Sequence, residues 1–132
     1  MQYFPLFVDT QSLKVLIVGA GEVASRKLDL LSRTDAEIHV IAKQCSNEVQ
    51  AYLDKGRISL EKREVATADI NHWDLIYLAT ADRGLNEQLA TLAQQRGLWV
   101  NVVDNPAFCR FITPSIVDRG RLQIAISTAG AA

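Results

Sequence analysis

Leu13-Lys14-Val15-Leu16-Ile17-Val18-Gly19-Ala20-Gly21-Glu22-Val23-Ala24 is the stretch on which the fold turns. Its first half is a near-continuous apolar run, the pattern of a parallel strand buried on both faces. Its second half matches G-x-G-x-x-G/A, with Ala24 in the last place. Gly19 permits a tight turn out of the strand. Gly21 has no Cβ, so backbone there can approach a pyrophosphate. Ala24 is small enough for the next helix to lie close to the strand. From Glu22 to Arg33 the residues Val23, Ala24, Leu28 and Leu31 recur at helical spacing, with Arg26, Lys27 and Asp29 between them. The N-terminus of that helix offers free N–H groups and partial positive charge to phosphates. On these residues alone, a plain tight turn in a nucleotide-free sheet stays open.

Outward from this unit, strand and helix alternate. Glu37 to Ala42 reads as a second strand, and Ser46 caps a helix running to about Lys55, stopped at Gly56. Arg57 to Arg63 alternates with period two. Leu75 to Ala79 is a fourth strand ending at Thr80. Leu85 to Arg96 is a helix with Gly97 just past its end. Leu98 to Val103 is a fifth strand ending at Asp104. The tail differs: Phe111-Ile112, Ser115 to Val117 and Leu122 to Ser127 read as short strands, with a turn at Asp118-Arg119-Gly120-Arg121. This rhythm predicts an α/β fold, Rossmann-like and doubly wound. The sheet is expected to be mainly parallel, with helices on both faces and a short β tail.

The chain has 132 residues, about one domain's worth. Apolar residues make up 48% and charged residues 22%, which excludes disorder. Fourteen basic against fifteen acidic residues leave a net charge of −1, with no basic excess for a nucleic-acid platform or a polybasic membrane anchor. No apolar stretch reaches the length of a spanning helix. The first base is Lys14, so Met1 to Val8 lacks the charged n-region of a signal peptide. Cys45 and Cys109 lack metal spacing and read as free thiols of a cytoplasmic protein, although Cys109 has neighbours that could place it at a site. No G-x-S-x-G elbow and no P-loop lysine are present.

Ligands of open α/β sheets bind beyond the carboxyl ends of the strands. Strand ends therefore nominate Thr80, Ala81 and Asp82, then Asn101, Val103 and Asp104. A carboxylate at Asp104 can take a proton or bind a metal ion. It also precedes Asn105-Pro106 and suits a turn, so both readings stand. The acidic residue that grips a ribose 2′-hydroxyl is missing after the second strand, where Lys43 and Gln44 lie instead. Lys43 could favour a 2′-phosphate, so NAD and NADP stay open on the residues alone. His39, mid-strand, reads as structural, and His72 as part of a surface loop.

Pro5-Leu6-Phe7, then Val15 to Ala24 with Arg26-Lys27 just after, resembles the opening of the siroheme synthase N-terminal module. Three further blocks agree in order and spacing. They are Leu78-Ala79-Thr80 with Asn86 following, Asn101-Val102-Val103-Asp104, and Phe111-Ile112-Thr113-Pro114-Ser115-Ile116-Val117-Asp118-Arg119. The resemblance spans essentially the whole chain. It implies an NAD-dependent precorrin-2 dehydrogenase that forms sirohydrochlorin in siroheme biosynthesis. Bifunctional members are also ferrochelatases, with Fe²⁺ as a substrate. It implies Asp104 as the catalytic residue for proton transfer, and as a transient metal contact in chelation. It assigns Gly19, Ala20, Gly21, Glu22 and Val23 to the pyrophosphate turn, Lys43 and Gln44 to the adenosine ribose, and Thr80 and Ala81 to the cofactor edge. Asn101, Phe111, Pro114, Ser127 and Thr128 fall on the substrate side. NAD rather than NADP, a tetrapyrrole partner and a homodimer are implied as well.

Residues 1–112 are then the NAD-binding Rossmann domain, and 113–132 the start of a dimerisation segment. Family members usually continue Ser-Ser-Gly-Gly, then Ser-Pro and a helical region, whereas Ser127-Thr128-Ala129-Gly130-Ala131-Ala132 ends this chain. That truncation argues against the dimer here. It also keeps two alternatives in play: a non-catalytic NAD-binding regulatory module, and an inactive truncated domain.

Overall fold

Lys14–Val18 forms β1, the central strand of a five-stranded parallel sheet in the computed structural model, which describes residues 1–129. Beyond β1 follow α1 (Glu22–Leu31), β2 (Glu37–Ala42), α2 (Asn47–Asp54) and β3 (Ser59–Lys62). The chain then crosses to the other side of β1 through β4 (Leu75–Leu78), α3 (Arg83–Gln95) and β5 (Val100–Val102). Strand order is β3-β2-β1-β4-β5, so the direction of winding reverses between β1 and β4, the switch point at which such sheets bind ligands. β6 (Ser115–Arg119) and β7 (Leu122–Ile126) pair as a separate antiparallel hairpin. This is the expected Rossmann-like sheet with a short β tail. Residues 130–132, the end of the expected dimerisation segment, lie outside the described residues.

Strand alternation divides the core into two layers. Val15 and Ile17 of β1 face α1 and α2, together with Ala24, Leu28, Ile38, Val40 and Val49. Leu16 and Val18 face α3, together with Ile76, Leu78, Leu89, Ala93, Val100 and Val102. β1 has no accessible apolar side chain to spare, which explains why its run is continuous rather than alternating. Burying a Leu or Val of this kind stabilises the fold by roughly 1.5–3 kcal/mol each.

The helix ends follow local chemistry. Ser46 Oγ accepts the Val49 N–H at 3.2 Å, as the expected N-cap of α2. The C-terminus of α1 has no basic residue in its last turn. Arg57 serves it instead, donating to the carbonyls of Leu31, Ser32, Thr34 and Ala36 at 2.8–3.3 Å. Two expectations shift. α3 begins at Arg83 rather than Leu85, because Asp82 Oδ1 accepts the Leu85 N–H at 3.0 Å and caps the helix earlier. Phe111-Ile112 is not a strand. Its Phe111 ring packs edge-on to Tyr77 at 5.5 Å, and its carbonyl accepts from Asn101 Nδ2 at 2.9 Å, so the segment is pinned to the sheet face instead of pairing.

Candidate active site

The glycine turn joins three strands. Gly19 has φ +112° and donates its N–H to Ile41 O at the end of β2, at 2.9 Å. A Cβ on Gly19 would stand 2.5 Å from Ala79 O, just past β4, which only glycine avoids. The Ala20 carbonyl accepts from Ser46 N at 2.9 Å, tying the turn to the cap of α2. Gly21 is the N-cap of α1 and gives it no side-chain cap, so the first N–H groups of the helix are left to a ligand. A Cβ on Gly21 would meet nothing within 4 Å. Open space beside an uncapped helix N-terminus, walled by tightly packed strand ends, fits a pyrophosphate. Glu22 is exposed in the first turn of α1, and Val23 is half-buried.

The other cofactor-side residues lie at neighbouring strand ends. Thr80 Oγ1 donates to Asn86 Oδ1 at 2.5 Å, and Asn86 Nδ2 donates back to Thr80 O at 3.0 Å. Asn86 is buried, so this pair locks the loop after β4 and leaves Ala81 exposed at its edge. Lys43 and Gln44 are exposed just past β2. Lys43 Nζ pairs with Glu64 Oε1 at 3.0 Å, across from the end of β3. The charge that could attract a 2′-phosphate is therefore offset locally.

A cavity of about 460 Å³ opens between the end of β5 and the hairpin. That volume is within the usual range for small-ligand sites. Asp104, Asn101, Ser127 and Thr128 all line it, so these four expected site residues converge. Phe111 and Pro114 are not among the described lining residues. Asn101 is buried, with its amide spent on the Phe111 carbonyl, so it faces the cavity as part of the wall. Asp104 is exposed and has φ +59°, a left-handed conformation uncommon for any residue but glycine. Such outliers gather at functional sites.

Lys27, Asn105 and Cys109 line the cavity too. Of these, the sequence pointed only towards Cys109, through its neighbours. Cys109 Sγ donates to Val102 O at 3.2 Å and receives the Val102 N–H at the same distance, a clamp on β5. Burial pushes its thiol up. Asn105 Nδ2 donates to Glu87 Oε2 at 3.1 Å. Burial lowers the Lys27 ammonium, while the charges of Asp104 and Cys109 oppose that shift. One signal could have found Lys27: it interrupts the apolar stripe of α1, three residues after Ala24 and four before Leu31. His39, as expected, is structural. Its Nε2 meets Glu61 at 2.6 Å, and its ring stacks on Trp73 at 5.5 Å. Among the described residues no group of three or more His, Cys, Asp or Glu could hold a metal ion, and no helix is long and apolar enough to cross a membrane.

The chain is 47% identical over 132 residues to a siroheme synthase of Pseudoalteromonas atlantica and 43% identical over 131 residues to one of Nitrosococcus oceani. It is matched in full or nearly so, but spans only 29% and 28% of those proteins. A solved structure titled "SirC, precorrin-2 dehydrogenase" superimposes with a TM-score of 0.82 at 27% identity, covering 98% of this chain and 64% of that one. A family model described as "Putative NAD(P)-binding" matches residues 6–115. With the greater part of its length matched, and the glycine turn inside the match, this chain belongs to that NAD(P)-binding family.

Proposed function

We propose that this chain oxidises precorrin-2 to sirohydrochlorin with NAD, as the dehydrogenase part of a siroheme-forming protein. The observation that carries the reading is the cavity at the end of β5. There Asp104 is the single carboxylate among the described lining residues. The similarity to siroheme synthases along the whole chain supports it. The Lys43–Glu64 pair favours NAD, because a 2′-phosphate would meet the Glu64 carboxylate as well as the ammonium.

When bound, the dinucleotide supplies a hydride acceptor. The oxidation removes a hydride and a proton from the macrocycle. The Asp104 carboxylate takes the proton and, being exposed, releases it to water. Asn101 and Cys109 hold the end of β5, and so the position of Asp104, without touching the reaction. The same carboxylate suits ferrochelation, in which Fe²⁺ is a substrate. As the ion enters the ring, two N–H protons leave, and Asp104 receives them in turn. The hairpin supports a homodimer, and two unbridged cysteines support a cytoplasmic setting.

The test supplies precorrin-2 and NAD and follows NADH absorbance. Turnover is expected, and Asp104→Ala should lower kcat by about a hundredfold or more with NAD affinity unchanged. Undiminished turnover in that variant removes Asp104 from the chemistry. Binding of NAD without binding of the tetrapyrrole would instead make the chain a regulatory module. Binding of both without turnover would make it an inactive domain.

A further inference from the structure

α1 buries Ala24, Leu28 and Leu31 against the sheet. Lys27 lies on the same stripe, where an aliphatic side chain would ordinarily pack. Its stem lets the ammonium reach out of the layer, 6.0 Å from the ring centroid of the buried Tyr77, and line the cavity that holds Asp104. Among the described residues lining that cavity, Lys27 and Asp104 carry the only formal charges. They make no direct ion pair, although the Asp104 charge acts on the Lys27 ammonium through space. The cation is half-buried, over the Tyr77 ring and open to the cavity.

A cavity that presents a carboxylate repels an anionic ligand unless a cation offsets it. Precorrin-2 carries acetate and propionate side chains around its ring. We propose that Lys27 seats one of these peripheral carboxylates, and so fixes the edge of the macrocycle that faces Asp104. The inference deepens the dehydrogenase reading and rests on it. Lys27 is a binding and positioning residue in this scheme, distinct from the proton acceptor. The lowering of its ammonium by burial agrees with a site that gains from an incoming anion.

The experiment titrates sirohydrochlorin into the purified protein with NAD present, following the macrocycle's fluorescence, and compares Lys27→Gln, Lys27→Met and Lys27→Arg. Gln and Met keep most of the stem and remove the charge, and with it the ammonium's approach to the Tyr77 ring. Both should weaken tetrapyrrole binding by about tenfold or more while NAD affinity and melting temperature hold. Arg should restore binding to within about threefold. In turnover, KM for precorrin-2 should rise in the Gln variant with kcat nearly unchanged. Binding by Lys27→Gln equal to that of the parent overturns the proposal and leaves the dehydrogenase reading standing. A fall in kcat at unchanged KM also overturns it, because Lys27 would then act through Asp104. Loss of NAD affinity in step with tetrapyrrole affinity in both variants makes Lys27 structural and overturns the proposal as well. If the parent protein itself fails to bind sirohydrochlorin, the functional reading falls and the proposal with it.

Discussion

Gly19 and Gly21 stand two residues apart and serve different ends. Gly19 is required by the fold, since a Cβ would collide with Ala79 O and the backbone sits at φ +112°. Gly19→Ala should cost about 3 kcal/mol or more, read from the urea midpoint. Gly21 faces open space, so Gly21→Ala should change stability by about 0.5 kcal/mol or less. Its methyl would stand where the pyrophosphate approaches, so NAD affinity should fall by about tenfold, measured by calorimetry. Equal effects of the two changes on stability would contradict this division. Asp104 makes the complementary case. Its left-handed backbone carries a conformational cost that glycine would not, so Asp104→Gly should hold or raise stability by up to about 1 kcal/mol while turnover collapses. A destabilisation larger than that would mean the side chain supports the fold.

At the scale of elements, β2 and the edge strand β3 are joined to the 3₁₀ turn at Thr67–Ile70 by a polar network as well as by the apolar packing of Ile70 near Ile41. Arg63 meets both carboxylate oxygens of Asp69 at 2.8 Å and also contacts Glu61, which bonds His39. The Arg63 guanidinium is the main influence holding the Asp69 carboxyl below its usual range, with the Ala66 N–H adding to it and burial opposing. The hydrogen bond from His39, then that from Arg63, does the same for Glu61. Carboxyls lowered in the folded state contribute stability above their unfolded pKa, near pH 4. They lose it as pH falls through the lower folded value. The urea midpoint should therefore be flat near neutrality and drop below about pH 4. Asp69→Asn should be less stable at pH 7 and show a shallower acid drop. A variant with an acid profile identical to the parent's would show that Asp69 contributes nothing to it.

For the whole molecule, exposed apolar side chains gather in two places, the N-terminal segment from Phe4 to Val8 and the hairpin. The hairpin's register puts Val117, Leu122, Ile124 and Ile126 on one face, and Leu122 and Ile126 are 61% and 58% exposed. A two-stranded hairpin alone is marginal in water, so an uncovered apolar face of this kind is a candidate interaction surface. Ser115 and Ile126, at the open end of the same face, also line the Asp104 cavity, which couples the hairpin to the proposed substrate site. If a second copy covers this face, sedimentation should give a dimer. Ile124→Lys should then shift it towards monomer without lowering the melting point of the Rossmann-like sheet. A monomeric parent protein would exclude that role for the hairpin.

Most of the sheet was legible because parallel strands buried on both faces leave continuous apolar runs, and because caps such as Ser46 and turns such as Gly19-Ala20-Gly21 carry their own local chemistry. Elements set by local chemistry therefore fell within a few residues of expectation. Phe111-Ile112 misled because a β-prone pair was claimed by contacts from Tyr77 and Asn101, each distant in sequence. Lys27 was readable as a break in an apolar stripe, but not as a neighbour of Asp104, which lies more than seventy positions away. The sequence by itself determined the winding, the glycine turn and the nomination of Asp104, because those depend on spacing along the chain. Only the tertiary structure decided that Lys27 shares a cavity with Asp104, that Glu64 pairs with Lys43, and that Phe111 belongs to the core layer beside Tyr77. Those facts depend on which distant side chains the packed sheet brings face to face.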